Sequence, residues 1–349
     1  MVIGCDQHKK YCVMVEIDEQ AKVRSTKKFY HKDRETLKQY LSELPEPSDV
    51  AVEACGYDSW LGDLIEEQGH RLHLAHPLKT KAIAEAKVKT DRIDAKVLAQ
   101  LLQANLLPEA YHAPDSIRQE RALLRYRQTM VQIQTQTKNR IHFLVDQLGV
   151  DVPDTTDLFG KRGLQWLNQL QLRGRYQRIL EGHLETLEFI KKEVKRLDCL
   201  IDHIVKNSQE AQLLQTIPGI GKLSAYLLLS EIGPIQRFPA SQKLCSYAGL
   251  TPSVHQSGQT QYHGHITKQG NKYIRWAMVE AAHRVIRKDP GLKQCFDRLR
   301  FKKGNSVAIV AIARRLLVAV FHVLSKNEPY RYFKTDFGEA RVSPALLRA

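Results

Sequence analysis

The first 110 residues alternate short β-rich segments with helical ones, and this order restricts the fold more than any other feature of the chain. VIGCDQHKKYCVMVEID and KVRSTKKFYH predict strands that open a sheet with a hairpin. DVAVEACG and HRLHLAHP predict two further strands, and the segments DRETLKQYLSEL and YDSWLGDLIEEQG predict amphipathic helices between the strands. We therefore expect a mixed α/β domain over residues 1–114.

Four acidic residues occupy definite places in this order. Asp6 lies in the first predicted strand, and Glu53 lies at the end of a later one. Asp91 and Asp94 are three residues apart in a helix predicted from about Thr90 onward, so their side chains share one helix face. A ribonuclease-H-like domain holds metal ions with acids placed in this way, and hard oxygen ligands select Mg²⁺ or Mn²⁺.

The charges around Asp91 and Asp94 allow two interpretations. Cations flank it at Lys87, Lys89, Arg92 and Lys96. If the acids bind metal, these cations favour a polyanion such as a phosphate chain, and two ions could stabilise both oxygens of a phosphodiester displacement. The alternative is an exposed helix whose charges pair at i to i+3 or i+4, each pair worth a few tenths of a kcal/mol.

The positive charge of the chain is concentrated towards its C-terminus. The chain carries a formal net charge of +15. Residues 1–114 hold 16 basic and 18 acidic side chains, a net of −2, and residues 115–205 have a net of +3. Residues 206–349 hold 22 basic and 8 acidic side chains, a net of +14. This asymmetry indicates a nucleic-acid partner, with a basic surface kept for solubility as the alternative.

Residues 115–205 predict two long helices, because apolar residues recur there at intervals of three and four in two stretches. We expect an antiparallel coiled-coil arm or a dimerisation element. The remaining faces are rich in Gln and Arg, which suits either contact with a nucleic-acid backbone or plain solvation.

Residues 206–325 predict a mostly helical domain, followed by a tail at 326–349. LLQTIPGIGKLSAYLLLSEIG has the pattern of a helix-hairpin-helix, whose glycines let backbone N–H groups approach a phosphate. A plain glycine-containing turn between two helices is the alternative.

Several classes of protein are not indicated by this sequence. No run of 18 or more apolar residues is present, so we expect no membrane span, and the N-terminus does not resemble a secretory signal. The six cysteines form no C-x-x-C pair, which argues against a zinc site and a disulfide framework. We therefore expect a cytoplasmic protein.

A series of motifs resembles the insertion sequence one-ten family of transposases, which includes Piv-type DNA invertases and bridge-RNA-guided recombinases. The resemblance covers roughly residues 2–325 and departs from the family at Cys5, before Asp6, and at His76, before Pro77. The motifs stand in the family's order: GCDQHKK, VEACG, KTDRIDA, TIPGIGKLSA, YAGLTP, Ser257–Gly258, ITKQGNKYIR and VAIARRLL.

The resemblance implies a fold and a chemistry. It implies a RuvC-like domain at 1–114 with a catalytic, metal-binding tetrad, a coiled-coil arm at 115–205 used in RNA binding and assembly, and a transposase domain at 206–325. The tetrad falls on Asp6, Glu53, Asp91 and Asp94. A nucleophilic serine falls on Ser257, although spacing alone does not separate Ser257 from Ser246 or Ser253.

The implied partners are DNA, a structured guide (bridge) RNA and further copies of the chain in a dimer or tetramer. The implied cofactor is Mg²⁺ or Mn²⁺, without ATP. We expect DNA binding by residues of the helix-hairpin-helix pattern and of the later basic motifs. These residues are Pro218, Gly219, Gly221, Lys222, Lys268, Lys272, Arg275, Arg314 and Arg315.

Two other functions remain open at this stage. A metal-dependent Holliday-junction-type nuclease would need the carboxylates but no serine. A non-catalytic nucleic-acid-binding protein would need neither, although the intact set of four acids argues against it.

Overall fold

The computed structural model describes residues 1–84, 90–257 and 260–331, and for 254–257 and 260–263 it describes the backbone alone. The chain forms two compact units, Met1–Pro114 and Asp115–Ala349, called unit 1 and unit 2 below. The predicted division of the second of these into an arm, a transposase domain and a tail stays a prediction.

Unit 1 is built on a five-stranded mixed sheet. Its strands are β1 (Val2–Gln7), β2 (Tyr11–Ile17), β3 (Val23–Tyr30), β4 (Asp49–Glu53) and β5 (Arg71–Ala75). The strand order is β3-β2-β1-β4-β5, with β1, β2 and β3 antiparallel and β4 and β5 parallel to β1. Its helices are α1 (Arg34–Ser42), α2 (Ser59–Glu67), α3 (Pro77–Ile83) and α4 (Asp91–Gln103). The mixed α/β prediction is confirmed, whereas α3 was not predicted.

The sheet has one helical layer on each face, and β1 shows how the sequence separates them. Successive side chains of a strand point to opposite faces. Ile3 and Cys5 share a core with residues of α1 and α2. Gly4 therefore faces the other way, where α4 lies, and a Cβ on Gly4 would be 2.7 Å from the backbone nitrogen of Ala99. Asp6, two residues after Gly4, points to the same face as Gly4.

Unit 2 begins with two long helices. They are α5 (Asp115–Gln147) and α7 (Arg175–Lys206), which pack against each other, and the short helix α6 (Lys161–Gln169) lies between them in the chain. One end of the pair shares a small core with α6. At the other end, Leu124, Ile201 and Val205 belong to the main core of unit 2. The long helices are thus part of this unit's packing, and their coiled-coil geometry stays a prediction.

The rest of unit 2 is mostly helical, as predicted. Its helices are α8 (Gln209–Gln215), α9 (Lys222–Ile232), α10 (Ser241–Tyr247), α11 (Lys272–Val285), α12 (Pro290–Lys303) and α13 (Asn305–Lys326). A hairpin of β6 (Pro252–Ser257) and β7 (Thr260–Ile266) lies between α10 and α11. This hairpin was not predicted from the sequence.

Within the described parts of the chain, α13 is the one helix whose length and apolar composition would suit a membrane span. Half of its most apolar window is buried. Its buried side chains, among them Ile312, Leu316 and Val320, belong to the main core of unit 2. The packing of this core accounts for the apolar character of α13.

Candidate active site

Two of the predicted acids lie side by side at the carboxyl ends of two adjacent inner strands of the unit 1 sheet. Cys5 of β1 pairs with Val52 of the parallel strand β4, so Asp6 and Glu53 follow at neighbouring positions. Adjacent strands are about 4.8 Å apart, and side chains at paired positions point to the same face. Ala51, two residues before Glu53, packs with residues of α4. Asp6 and Glu53 thus share the α4 face.

The other two acids lie in the first turn of α4. Thr90 caps this helix, since its hydroxyl accepts a hydrogen bond from the backbone N–H of Ile93 (3.3 Å). Asp91 and Asp94 follow at the positive end of the helix dipole, which favours carboxylates. Ala95, in the next turn, packs on β1 and β2, so the start of the helix is directed at the end of β1.

A histidine that the sequence reasoning did not select joins this site. His8, in the turn between β1 and β2, places Nε2 3.2 Å from Asp6 Oδ2 and 3.2 Å from Asp91 Oδ1. The ligand-type atoms of His8, Asp6 and Asp91 all lie within 4.8 Å of one another. Tyr11 donates a hydrogen bond from its hydroxyl to Asp91 Oδ2 at 2.9 Å, and its ring packs on His8 with centroids 4.8 Å apart.

The electrostatics agree with this placement. The pKa of Asp6 is raised from its ordinary 3.8 to about 6. Burial is the largest cause, and the negative charges of Asp91, Asp94 and Glu53 also raise this pKa, whereas His8 lowers it. The hydrogen bond from Tyr11 is the main reason that the pKa of Asp91 is lowered. The other three predicted acids are therefore close enough to Asp6 to influence its charge.

The structure brings the predicted residues together unequally. Asp6 and Asp91 form the tight group with His8, whereas Glu53 and Asp94 lie outside that group and are related to it by strand register and helix periodicity. A set of carboxylates in which burial and mutual repulsion raise the pKa of one member fits a divalent cation, because a cation would relieve that repulsion.

Unit 2 has a buried polar network around a fully buried carboxylate. Arg125 of α5 binds Glu231 of α9 with two hydrogen bonds of 2.8 Å each. Arg121 donates to the backbone carbonyl oxygens of Ser230 and Glu231 at 2.8 and 3.0 Å. Asn271, which caps α11, donates to Glu231 Oε2 at 2.7 Å. The network joins α5, α9 and α11.

The same helix cap anchors the base of the β6–β7 hairpin. The backbone N–H of Asn271 donates to Tyr247 O at 2.7 Å, and Arg275 donates to Ala248 O at 2.8 Å. Gly249 has a φ of +66°, and a Cβ there would lie 2.6 Å from Gln269 O. The segments before and after the hairpin are therefore tied to each other.

The predicted serine lies on this hairpin. Ser257 is the last residue of β6 and pairs with Thr260, but its side chain and the neighbouring Gly258 lie outside the described residues. Ser253 is described, and its hydroxyl donates to His265 O at 3.3 Å across the hairpin.

The predicted helix-hairpin residues have different surroundings. Pro218 is buried, and a Cβ on Gly219 (φ +92°) would lie 2.6 Å from Ala281 O, so this glycine permits close packing on α11. Gly221 precedes α9, and a Cβ there would meet open space. Lys222 forms an ion pair with Asp202 at 2.9 Å. A phosphate-binding role for this hairpin stays a prediction.

The other predicted DNA-binding residues lie on α11, α13 and the segment before α11. Lys268 and Lys272 flank the cap of α11, and Arg275 has the backbone contact described above. Arg314 and Arg315 are half-buried on α13. Their contact with DNA stays a prediction.

A further basic surface was not singled out from the sequence. Phe301, near the end of α12, is 93% exposed. Four cations surround it in sequence: Arg298, Arg300, Lys302 and Lys303. The signal that could have indicated this surface is the aromatic residue inside RLRFKK.

Comparison with known proteins identifies both parts of the chain. Residues 3–150 match a family model described as a transposase, of the DEDD type of IS110 elements, and residues 211–297 match the model described as transposase IS116/IS110/IS902 family. A probable family 20 transposase of Pseudomonas aeruginosa is 25% identical, with 85% of this chain and 90% of that protein covered.

Two further relatives point the same way. The transposase for insertion sequence element IS1111A of Coxiella burnetii is 26% identical, with 95% of this chain and 91% of that protein covered. The pilin gene-inverting protein of Moraxella lacunata is 27% identical, with 80% and 81% covered. With both family models matched in order, this chain belongs to the IS110 family of transposases, which are enzymes that cut and rejoin DNA.

Proposed function

We propose that the chain is the site-specific recombinase of its insertion element, using a metal-binding acidic tetrad and a serine nucleophile. The observation that carries the proposal is the convergence of Asp6 and Asp91, 85 positions apart, with Glu53 and Asp94 near enough to raise the pKa of Asp6. Asp6, Glu53 and the two aspartates of α4 are far apart in the sequence, so it is the fold that brings them together.

In this proposal Asp6, Glu53, Asp91 and Asp94 hold Mg²⁺ or Mn²⁺. Such ions, when bound, polarise a phosphodiester and stabilise both the attacking and the leaving oxygen. Asp6 is the buried member, and it must lose its proton before it can act as a ligand. Tyr11 keeps Asp91 ionised and oriented through its hydrogen bond.

Ser257 supplies the nucleophile in this proposal. Its hydroxyl loses a proton and Oγ attacks the phosphorus, so that an Oγ–P bond forms while a phosphorus–oxygen bond of the DNA breaks and the leaving sugar oxygen takes up a proton. The energy of the phosphodiester is conserved in the covalent link, so rejoining needs no ATP. The hydrogen bonds that hold the base of the β6–β7 hairpin in place support this role, because a nucleophile must be held in a defined position relative to its target.

The partners follow from charge and from the family. The C-terminal cations bind DNA, with the basic end of α12 as an added surface beside the predicted residues. The Gln- and Arg-rich face of α5 contacts a guide RNA, and copies of the chain assemble as a dimer or tetramer. The site of action is the cytoplasm.

The experiment that tests the serine mechanism compares three variants on labelled DNA with Mg²⁺ or Mn²⁺. Ser257→Ala should abolish both cleavage and the protease-sensitive protein–DNA adduct, while metal binding persists. Asp91→Asn should abolish cleavage through loss of a charged ligand. Ser253→Ala is the matched control, because it removes a hydroxyl from the same hairpin and should leave the adduct intact.

The alternative is a metal-dependent nuclease, in which water attacks the phosphorus. Under that alternative Ser257→Ala would still cut DNA, and no variant would form an adduct. Persistent cutting by Ser257→Ala on a denaturing gel would remove the serine mechanism and leave the metal site standing.

A further inference from the structure

The side chain of His8 ends in a buried nitrogen that has no hydrogen-bond partner. Its Nε2 is shielded from solvent although the residue as a whole is half-exposed. It lies 3.2 Å from a carboxylate oxygen of Asp6 and 3.2 Å from one of Asp91, but neither approach has hydrogen-bond geometry. Buried polar atoms are normally satisfied, so this arrangement calls for an explanation.

A cation between the three side chains would explain it. Two ligand atoms that each lie about 2.1 Å from an ion at right angles to one another are about 3.0 Å apart. The measured separations of 3.2 Å between Nε2 and each carboxylate oxygen are close to this value. A nitrogen lone pair directed at a shared ion also needs no hydrogen bond.

The ring of His8 is held in place by its neighbours. The backbone N–H of His8 donates to Tyr11 O at 2.9 Å, which closes the turn between β1 and β2. The ring of Tyr11 lies 4.8 Å from the His8 ring, and the hydroxyl of Tyr11 binds Asp91. Tyr11 therefore orients two of the three side chains at once, as groups behind metal ligands do.

We propose that His8 is a nitrogen ligand of the cation that Asp6 and Asp91 hold, and that it makes this site prefer Mn²⁺ to Mg²⁺. The inference rests on the proposed function, in which these carboxylates bind a divalent cation. Mg²⁺ favours an all-oxygen set, whereas an imidazole ligand suits transition metals and favours them over Mg²⁺. His8 thus sets which ion the recombinase uses.

The test measures metal binding directly on the full-length protein. Pulsed electron paramagnetic resonance of Mn²⁺-loaded protein should show coupling to a directly bound ¹⁴N nucleus, and His8→Gln should remove it. Calorimetry should show that His8→Gln weakens Mn²⁺ binding by at least about tenfold and Mg²⁺ binding by less than about threefold. Thermal unfolding of His8→Gln and His8→Asn verifies that both variants fold.

Two controls separate the possible outcomes. His73→Gln removes another histidine of unit 1 that lies between two carboxylates, Asp49 (3.0 Å) and Glu109 (2.7 Å), and it should keep the ¹⁴N coupling. Asp6→Asn should abolish binding of both ions.

The outcomes that overturn the inference are distinct from those that overturn the proposed function. Mn²⁺ bound by the wild type without ¹⁴N coupling, and lost in Asp6→Asn, would show an all-oxygen site in which His8 is only an ion-pair partner. Absence of any Mn²⁺ or Mg²⁺ binding by the wild type would remove the metal site itself, and the role of His8 with it.

Discussion

Gly4 of β1 lies against the backbone of Ala95 in α4 with no room between them for a methyl group. A Cβ on Gly4 would overlap the carbonyl oxygen of Ala95 and lie 2.7 Å from the nitrogen of Ala99. Asp6 lies on the same face of β1, two residues further along. The closeness that glycine permits therefore sets the distance between Asp6 and Asp91.

We expect Gly4→Ala to destabilise unit 1 by about 3 kcal/mol, because the new methyl group must push α4 off the sheet. The measurement is urea unfolding followed by the fluorescence of Trp60 in α2, in a Trp166→Phe/Trp276→Phe background. Gly56→Ala is the control, since a Cβ there would meet open space and should cost little. Equal stability of the two variants would contradict the close packing.

Stability should depend on pH through Asp6. Its pKa in the folded protein, about 6, lies above the ordinary 3.8, so the fold favours the protonated form. This contribution is fully present below about pH 4 and is lost as the pH rises through 6. The full shift corresponds to about 3 kcal/mol, and screening by solvent reduces the expected loss in the free energy of unfolding to about 2 kcal/mol.

When a chelator keeps the protein free of metal, Asp6→Asn should remove this pH dependence. The free energy of unfolding of the variant should therefore rise relative to that of the wild type between pH 4 and pH 7. The same Trp60 fluorescence, recorded at several pH values, gives the comparison. Adding Mn²⁺ at pH 7 should stabilise the wild type and not Asp6→Asn. Parallel pH profiles of the two proteins would show that Asp6 titrates normally.

The buried network of unit 2 should respond asymmetrically to substitution. Glu231 is fully buried and Arg125 is 42% exposed. Arg125→Ala leaves a buried carboxylate without its positively charged partner and should lower the free energy of unfolding by about 3 kcal/mol. Glu231→Gln should lower it less, because the arginine that loses its partner can reach solvent. Thermal unfolding measures both.

The control for this prediction is Arg127→Ala, two residues further along α5, whose ion pair does not include Glu231. Its partner Asp198 is half-exposed, so the loss should be below about 1 kcal/mol. A cost for Arg125→Ala as small as that for Arg127→Ala would mean that the buried pair contributes no net stability.

The basic end of α12 should contribute to DNA binding in two separable ways. Lys302→Ala should reduce the slope of log affinity against log salt by about 1, because one phosphate contact is lost. Phe301→Ala should weaken binding to single-stranded DNA with no change in slope, since it removes stacking and no charge. Fluorescence anisotropy over a range of salt concentrations measures both.

Lys38→Ala, an exposed lysine in α1 of unit 1, is the control and should change neither quantity. If Lys38→Ala and Lys302→Ala reduced the slope equally, DNA binding would not be a property of the C-terminal part.

The positions of the four acids on the strands and the helix could be predicted because the signals for these elements are local. Alternating apolar residues mark the strands, and Thr90 followed by two aspartates marks a capped helix. The acids then fall at strand ends and on one helix face. His8 escaped notice because it lies in a turn, where no periodicity exists, and its partner Asp91 is 83 positions away.

The hairpin and the buried network escaped for other reasons. PSVHQS and TQYHGHI are polar and contain few β-branched residues, so nothing in their composition favours strands. Glu231 is visible as an acid inside the apolar run LLLSEI, but its partner Arg125 is 106 residues away and sits in a polar stretch. An ion pair between residues so far apart in the chain cannot be predicted from a single sequence.

The separation of Arg125, Glu231 and Asn271 along the chain also determines the order in which a newly made protein can fold. The strands and helices of unit 1 are all complete by Gln103. At ribosomal rates, about 5 to 20 seconds pass between the synthesis of Arg125 and that of Glu231. Asn271 comes 40 residues later still. During translation α5 therefore stays without its buried partner until most of the chain has left the ribosome, and a chain that ends before Asn271 cannot close the network.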